Sequence, residues 1–242
     1  MVKPMYTSRL FFTKIAQSYA SYASTKNAYL SAINRFITRE TKEAERMIDI
    51  GSGDGKRSTE IAKSIKVSNL TLVDNSPGMI SLLEKLPGVS VVCRDISDEA
   101  FELTQRFDIV TCLWNVLGHI TTPEKRKIAI KNIKKLAMPG GFIYLDVNNR
   151  YNTLQYGLPS VAKNVFRDTI EPNSSNGDFE LEFKTKEEIV KTEVHIFSPF
   201  EMNELLKSAG LRIVKKQIIN YQTGNECKSI LGGQLVYKLS KL

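Results

Sequence analysis

Short apolar runs alternate with amphipathic stretches along the middle of the chain, a pattern typical of strand–helix units in a parallel sheet. The apolar runs are nearly continuous, as expected for strands that are buried on both faces. They lie at Arg46–Ile50, Leu70–Val73, Val89–Cys93, Phe107–Leu113 and Phe142–Val147. The segments between them predict helices, and we interpret the basic stretch Glu124–Lys135 as the solvated face of one helix.

The pattern changes after Val147. Residues 148–197 are mostly polar and contain two alternating stretches, Phe179–Thr185 and Glu188–Phe197, which predict antiparallel strands. A helix from Ser198 and the strands Leu211–Ile219 and Gly233–Leu239 then resume the first pattern. We therefore predict an α/β fold with a doubly wound, seven-stranded, mostly parallel sheet and a β-rich insert after the fifth strand.

The domain division follows from these changes of pattern. We predict one α/β domain formed by residues 46–147 and 198–242, with residues 148–197 as an inserted substrate-binding cap. Residues 1–45 read as amphipathic helix, and we interpret them as a helical lid segment ahead of the sheet.

Composition narrows the class of protein. The 242 residues are 42% hydrophobic and 25% charged, the balance of a soluble globular protein. Three widely spaced cysteines, no apolar run of about 20 residues and no secretory signal favour a reduced, cytoplasmic protein without a membrane span. The net charge of +8 is spread along the chain, so a nucleic-acid partner is the less favoured interpretation.

The candidate chemistry begins at a glycine-rich segment. Gly51, Gly53 and Gly55 follow the first buried strand, and alternate glycines let the backbone turn sharply against a ligand. Asp74 and Asp95 end the next two strands, where an acid can bind the ribose hydroxyls or the adenine amine of a nucleoside. These strand ends meet at one crevice of a doubly wound sheet, so the sequence predicts a nucleoside site there.

The loop also indicates which nucleoside is bound. A dinucleotide site has a third glycine where this chain has Lys56, and no phosphate-binding P-loop motif is present. We therefore predict a nucleoside that lacks a pyrophosphate.

These motifs together resemble the class I S-adenosylmethionine-dependent methyltransferases. The resemblance rests on Ile48–Gly55, Asp74, Asp95, Phe107–Asn115 and Met138–Asp146 and extends over roughly residues 45–240. It implies a Rossmann-like methyltransferase fold and S-adenosyl-L-methionine as the cofactor, with S-adenosyl-L-homocysteine as its product. The cofactor contacts that it implies are Asp49, Gly51, Ser52, Gly53, Gly55, Asp74, Asn75, Met79, Asp95, Ile96, Leu113 and Trp114.

Within that class, Leu113–Ile120, Ala129–Pro139 and Asp146–Asn149 look most similar to glycine and sarcosine N-methyltransferases. This similarity implies a small-molecule amine as substrate and substrate contacts at Tyr19, Tyr22, Asn115, Asn148, Arg150 and Tyr151. Asn148 stands where the glycine enzymes have a carboxylate-binding arginine, and an amide cannot replace that cationic fork. An amino-acid substrate is therefore disfavoured.

The catalytic candidates are Asn115, Tyr22 and His119. His119 is open to two interpretations, as a general base or as a hydrogen-bonded structural residue, whereas His195 on an alternating strand is expected to be structural. No cluster of His, Cys and carboxylate residues has the spacing of metal ligands, so no metal is expected.

The first functional hypothesis is methyl transfer to the nitrogen of a small amine by in-line displacement. Small-molecule O-methylation is the alternative and would need a base such as His119. Methylation of tRNA or other RNA, and a cofactor-binding protein without catalysis, are two further hypotheses. The identity of the acceptor and the oligomeric state are not predicted.

Overall fold

The computed structural model describes residues 5–185 and 188–242. In chain order the strands are β1 (Met5–Tyr6), β2 (Arg46–Ile50), β3 (Asn69–Asp74), β4 (Val89–Cys93), β5 (Phe107–Cys112), β6 (Ala137–Val147), β7 (Asp178–Lys184), β8 (Ile189–His195), β9 (Leu211–Ile219), β10 (Glu226–Cys227) and β11 (Gln234–Lys241). The helices are α1 (Ser8–Ser24), α2 (Asn27–Glu40), α3 (Lys56–Ser64), α4 (Pro77–Leu83), α5 (Pro123–Leu136), α6 (Thr153–Tyr156), α7 (Leu158–Ile170) and α8 (Pro199–Ser208).

The main sheet has the strand order β10-β9-β11-β6-β5-β2-β3-β4 within the described residues. Strands β2 to β6 pair in parallel, and β11 pairs antiparallel with both β6 and β9. The sequence predicts seven strands, whereas this sheet has eight. The extra strand, β10, is only two residues long and therefore too short to show a hydrophobic pattern.

Helices cover both faces of this sheet. One apolar cluster packs α5 and α8 against it, and a second packs α2 and α3 on the opposite face. Helices α4, α5 and α8 each begin at an N-cap residue whose side chain accepts a hydrogen bond from the first helical turn. These N-cap residues are Ser76, Thr122 and Ser198, and a proline follows each one. The parallel strands therefore end together at one edge of the sheet, beside the starts of α3 and α4.

The segment between β6 and α8 differs from the predicted β-rich insert. Its first half forms α6 and α7, and only its second half forms the antiparallel pair β7–β8. The helical pattern of α7 is obscured because Leu158, Phe166 and Ile170 are exposed while Val161 is buried. An apolar residue on this helix therefore does not mark the face that packs against the protein.

The N-terminal segment contains two helices rather than one continuous amphipathic stretch. Helix α2 packs against the main sheet, with Tyr29, Ile33 and Phe36 buried. Strand β1 pairs in parallel with β8, so it forms a three-stranded sheet with the β7–β8 pair. None of the helices in residues 5–185 and 188–242 is long and apolar enough to cross a membrane.

Candidate active site

A cleft of about 740 Å³ opens where the parallel strands end. Its walls come from the loop after β2, from α1, from a short 3₁₀ helix (Val116–His119) and from the β7–β8 pair. The cleft thus lies at the edge of the sheet where the sequence placed the nucleoside site.

The glycine loop forms one wall of the cleft. Gly51 and Gly53 have φ angles of 69° and 58°, in the left-handed region that glycine tolerates best. A Cβ atom on Gly51 would lie 2.5 Å from Val116, and one on Gly53 would lie 2.7 Å from the Tyr19 hydroxyl. Gly55 also has a positive φ, but it packs on Leu83 and Leu86 and does not line the cleft.

Three of the predicted cofactor contacts lie behind the wall instead of in it. The Asp49 carboxylate accepts hydrogen bonds from Ser58 and, at 2.5 Å, from Thr111, and burial raises its pKa. Ser52 Oγ donates to the Asp49 carbonyl oxygen at 2.8 Å. Met79 is fully buried in the core. None of these three side chains lines the cleft. Their positions therefore argue against the predicted contacts with the cofactor.

Two carboxylates mark the far end of the cleft. Asp74 accepts hydrogen bonds from the backbone N–H groups of Gly53 and Ser76, at 3.0 and 2.9 Å, and burial raises its pKa to about 6. Asp95 accepts from the Ser97 N–H at 2.8 Å and from Asn75 Nδ2 at 3.0 Å. With the adjacent Ile96, these residues line the cleft together, as the sequence predicts.

The backbone after β5 adopts an unusual conformation. Trp114 and Asn115 have φ angles of 61° and 59°, which are rare for residues with side chains. The Trp114 N–H donates to Asp146 at the end of β6, and the same carboxylate accepts from the Tyr29 hydroxyl at 2.7 Å. Asp146 therefore fixes the cleft wall from behind. The sequence contained it in a recognised motif but gave no sign of this role.

Asn115 is only 2% exposed, and both of its polar side-chain atoms contact main chain. Its Oδ1 accepts from the Asn148 N–H at 2.9 Å, and its Nδ2 donates to the His195 carbonyl at 3.3 Å. The amide thus joins the ends of β5 and β6 to β8. This arrangement argues against the predicted role of Asn115 in holding an amine and supports a role in positioning.

Aromatic rings form a continuous series along the cleft. His119 contacts Phe12 with ring centroids 4.9 Å apart, and Phe12 in turn lies 6.3 Å from Tyr19. Tyr22 stacks on Trp114 at 5.3 Å with an interplanar angle of 20°. Helix α1 thus brings the predicted Tyr19 and Tyr22 to the cleft.

The sequence did not single out several further rings that line the cleft, among them Phe12, Phe183 and Tyr221. Phe183 contacts Tyr22 edge-on at 5.2 Å, and the Tyr221 hydroxyl accepts a hydrogen bond from Trp114 Nε1 at 3.1 Å. For Phe183 the alternation of Phe179–Thr185 was a usable signal, because it already separates the two faces of that strand.

Two buried polar atoms of residues lining the cleft have no hydrogen-bond partner in the described part of the chain. They are Nδ1 of His119 and Oδ1 of Asn148, both of which belong to predicted site residues. Burial lowers the pKa of His119 to about 4, so its imidazole is neutral near pH 7. Buried polar atoms are nearly always paired, so unpaired ones in a cleft favour contact with a ligand.

Arg150 and Tyr151 do not line the cleft, contrary to the prediction that they bind substrate. Arg150 forms ion pairs with Asp168 and Glu201, each at 2.7 Å, and Tyr151 donates to Asp168 at 2.7 Å. His195 lies between Asp178 and Glu201, at 2.5 and 2.8 Å. The sequence could not reveal this buried charged cluster because its members are far apart along the chain.

Comparison with known proteins identifies the class of this fold and site. Residues 47–141 match a family described as a methyltransferase domain. A ubiquinone biosynthesis O-methyltransferase of Coxiella burnetii is 30% identical over 221 residues, which cover 87% of this chain and 83% of the relative. The chain belongs to the class I S-adenosylmethionine-dependent methyltransferases. It is a methyltransferase enzyme whose cofactor is S-adenosylmethionine.

Solved structures agree on the fold. A methyltransferase from Clostridium acetobutylicum superposes with a TM-score of 0.66 at 16% identity, covering 95% of this chain and 98% of that chain. DhpI, solved as a complex with SAH, superposes with a TM-score of 0.66 at 14% identity, covering 97% of this chain and 95% of that chain. The Rossmann-like methyltransferase fold expected from the sequence is therefore confirmed.

Proposed function

We propose that this enzyme transfers a methyl group to a hydroxyl oxygen of a small aromatic acceptor. The observation that carries the proposal is the buried Nδ1 of His119 in the cleft, which has no hydrogen-bond partner among the described residues. The imidazole is neutral near pH 7 and able to receive a proton, although the burial that lowers its pKa to about 4 also makes it a weaker base than an exposed histidine. The similarity to ubiquinone biosynthesis O-methyltransferases supports the same type of reaction. The sequence favoured N-methylation, so this proposal replaces the first hypothesis with its alternative.

We place the cofactor against the glycine loop. Gly51 and Gly53 line the cleft with their backbone in a left-handed conformation that glycine tolerates best, and the methionine part would lie along this loop. Asp74 would accept hydrogen bonds from the ribose hydroxyls, and Asp95 with Ile96 would flank the adenine. Leu113 and Trp114 line the cleft beyond the loop and would border the reacting methyl group.

The acceptor would lie in the cleft beside the rings of Tyr22, Trp114 and Phe183, which contact one another. The bound cofactor supplies an electrophilic methyl group on sulfonium, and the protein aligns the acceptor oxygen with it. A hydroxyl oxygen becomes a good nucleophile as it loses its proton, and we assign the receipt of that proton to His119. Asn148 Oδ1, the second unpaired atom, would accept a hydrogen bond from the acceptor.

Helix α1 and the β7–β8 pair would close the acceptor site. Tyr19 on α1 contacts the glycine loop, and Tyr22 contacts Phe183 of β7. We propose that the N-terminal segment acts as a lid and residues 148–197 as a cap, as the sequence predicts. Such closure would exclude water during methyl transfer.

The test uses cofactor labelled in its transferable methyl group with two matched acceptors, catechol and 1,2-phenylenediamine, and with total tRNA in parallel. We expect label on the catechol oxygen and much less on the diamine. Label confined to nitrogen or to RNA would contradict the proposal. Binding of S-adenosylhomocysteine, measured by calorimetry, serves as the control that the protein is folded and competent.

N-methylation of a small amine is the second candidate. The Tyr22–Trp114 stack favours it, because aromatic faces attract cations and could hold a protonated amine before it loses its proton. An amine that binds in its neutral form needs no strong base. The same assay separates the two candidates: an N-methyltransferase would label the diamine and keep its rate when His119 is replaced by Gln.

A further inference from the structure

One lysine lies at the acceptor end of the cleft. Lys26 Nζ lies 5.0 Å from the centroid of the Tyr221 ring, and the Tyr221 hydroxyl accepts a hydrogen bond from Trp114 Nε1 at 3.1 Å. Both Lys26 and Tyr221 line the cleft. The ammonium group is thus separated from the stacked Tyr22–Trp114 wall by a single ring.

The position of Lys26 is fixed by its backbone. Its N–H donates to the Ala23 carbonyl at 2.9 Å, and its carbonyl accepts from the Leu30 N–H at 3.0 Å, so it forms the junction between α1 and α2. The side chain is half-buried. The ammonium group lies over the Tyr221 ring, in the part of the cleft that we assign to the acceptor.

No carboxylate compensates this charge locally. Among residues 5–185 and 188–242, no carboxylate oxygen lies within 4.0 Å of Lys26 Nζ. Glu182, which also lines the cleft, forms an ion pair with Lys191 at 2.5 Å. Asp74 and Asp95 belong to the end of the cleft that we assign to the cofactor. Lys125 also lines the cleft, but Lys26 is the lysine placed over the Tyr221 ring, and its ammonium group has no carboxylate partner within the described residues.

The same arrangement disfavours a cationic acceptor. A ligand ammonium would need a free carboxylate or an open aromatic face. Lys26 already lies over the Tyr221 ring, and its charge would repel a second cation nearby. An anionic group, in contrast, would find a charge partner and aromatic walls on which the rest of the molecule can stack.

We infer that the acceptor is an aromatic hydroxyl compound that also carries an anionic group, a carboxylate in the simplest case, and that Lys26 binds this group. The inference rests on the proposed function, since it names the substrate class of the same site. Lys26 thereby determines specificity, while His119 serves the reaction.

The test measures binding and does not depend on turnover. Trp114 is the single tryptophan of the chain, so its fluorescence reports on the acceptor site directly. The protein, saturated with S-adenosylhomocysteine, is titrated with 3,4-dihydroxybenzoate and with 3,4-dihydroxybenzamide. The two ligands have nearly the same shape and differ in charge. We expect the benzoate to bind about fivefold more tightly, as for a partly exposed ion pair.

Variants of Lys26 assign the preference to its charge. K26M should bind both ligands equally, K26R should keep the preference for benzoate, and K26E should reverse it. K42M removes an exposed lysine from the loop after α2 and is the matched control, which should behave like the wild type. Equal affinity of the two ligands for the wild-type protein, a preference that survives in K26M, or no binding of either ligand would each overturn the inference.

Methyl transfer to the neutral benzamide distinguishes a failure of the O-methylation proposal from a failure of the proposed role of Lys26. If the benzamide is methylated on oxygen and charge makes no difference to binding, the O-methyltransferase proposal stands and the role of Lys26 is wrong. If the benzoate is preferred in a Lys26-dependent way and neither ligand is methylated, the anion site stands and O-methylation is wrong.

Discussion

Two buried polar regions of this protein differ in how completely their groups are paired. In the charged cluster around Arg150, the guanidinium forms ion pairs with Asp168 and Glu201 at 2.7 Å, and both ring nitrogens of His195 contact carboxylates, at 2.5 and 2.8 Å. In the cleft, His119 Nδ1 and Asn148 Oδ1 are buried and have no hydrogen-bond partner within residues 5–185 and 188–242. A buried polar group that is paired contributes to holding the fold, whereas one left unpaired costs stability and is retained where a ligand completes it.

The pKa values follow the same division. Burial raises the pKa of Glu201 in the charged cluster, but the hydrogen bond from His195 and the charge of Arg150 outweigh it, so the net shift is downward. Burial raises the pKa of Asp74 in the cleft to about 6, and the backbone hydrogen bonds that it accepts do not offset this effect. The cluster is thus complete without a ligand, and the cleft is not.

The largest expected effect comes from changing an unpaired atom in the cleft. His119→Gln should lower kcat for hydroxyl methylation about 10²- to 10⁴-fold, because the proton acceptor is lost. The melting temperature should fall only slightly, because Nδ1 has no hydrogen-bond partner among the described residues and the variant loses only the ring contact with Phe12. Stopped assays with labelled cofactor, together with thermal melts, measure both quantities. A variant that stays within threefold of the wild-type rate would show that His119 is not the base.

The charged cluster should show the opposite response. Arg150→Met removes the partner of two carboxylates, and breaking a buried pair from one side costs about 3–5 kcal/mol of unfolding free energy. Urea unfolding measures this loss, and S-adenosylhomocysteine should still bind wherever the variant remains folded. A loss below about 1 kcal/mol would mean that the cluster does not stabilise the fold.

A smaller effect should appear on lowering the pH. Asp74, with a pKa of about 6, is mostly ionised at pH 7 and mostly protonated at pH 5. If only the ionised carboxylate accepts from the ribose hydroxyls, S-adenosylhomocysteine should bind about tenfold more weakly at pH 5 than at pH 7. Calorimetry across this range tests the expectation. Asp74→Asn should bind weakly at both values and lose the pH dependence, whereas Asp95→Asn should keep it.

The smallest effect on the free energy of unfolding is expected for an ion pair at the exposed surface. Lys66 and Glu43 form an ion pair at 3.0 Å while their side chains remain 76% and 70% exposed. Lys66→Met should change the unfolding free energy by less than about 0.5 kcal/mol in the urea assay used for Arg150. A loss comparable to that of Arg150→Met would show that burial is not what separates the two pairs.

The sequence predicted the features that are determined by residues close together along the chain. Each central strand is a nearly continuous apolar run, and Gly51 and Gly53 follow such a run directly, so the sheet edge and the glycine loop that lines the cleft could be located. The acids that end β3 and β4 were found in the same way. These features need no knowledge of which residues meet across the fold.

The features that the sequence missed depend on distant partners. Arg150 meets Glu201, 51 positions away, and Asn115 meets the main chain of His195, 80 positions away. Nothing near either residue shows that its polar atoms are already used, so both were assigned to the substrate. Helix α7 was missed for a different reason: several of its apolar residues are exposed, so its sequence does not show which face is buried.

The pairing of β1 with β8 has a consequence for the order of folding during synthesis. Tyr6 lies beside Thr192, so the ribosome must release nearly the whole insert before the first strand can find its place. Contacts between such distant positions form slowly, because a long loop must close first. We therefore expect a nascent chain to assemble the parallel sheet early and to pair β1 with β8 only near the end of translation.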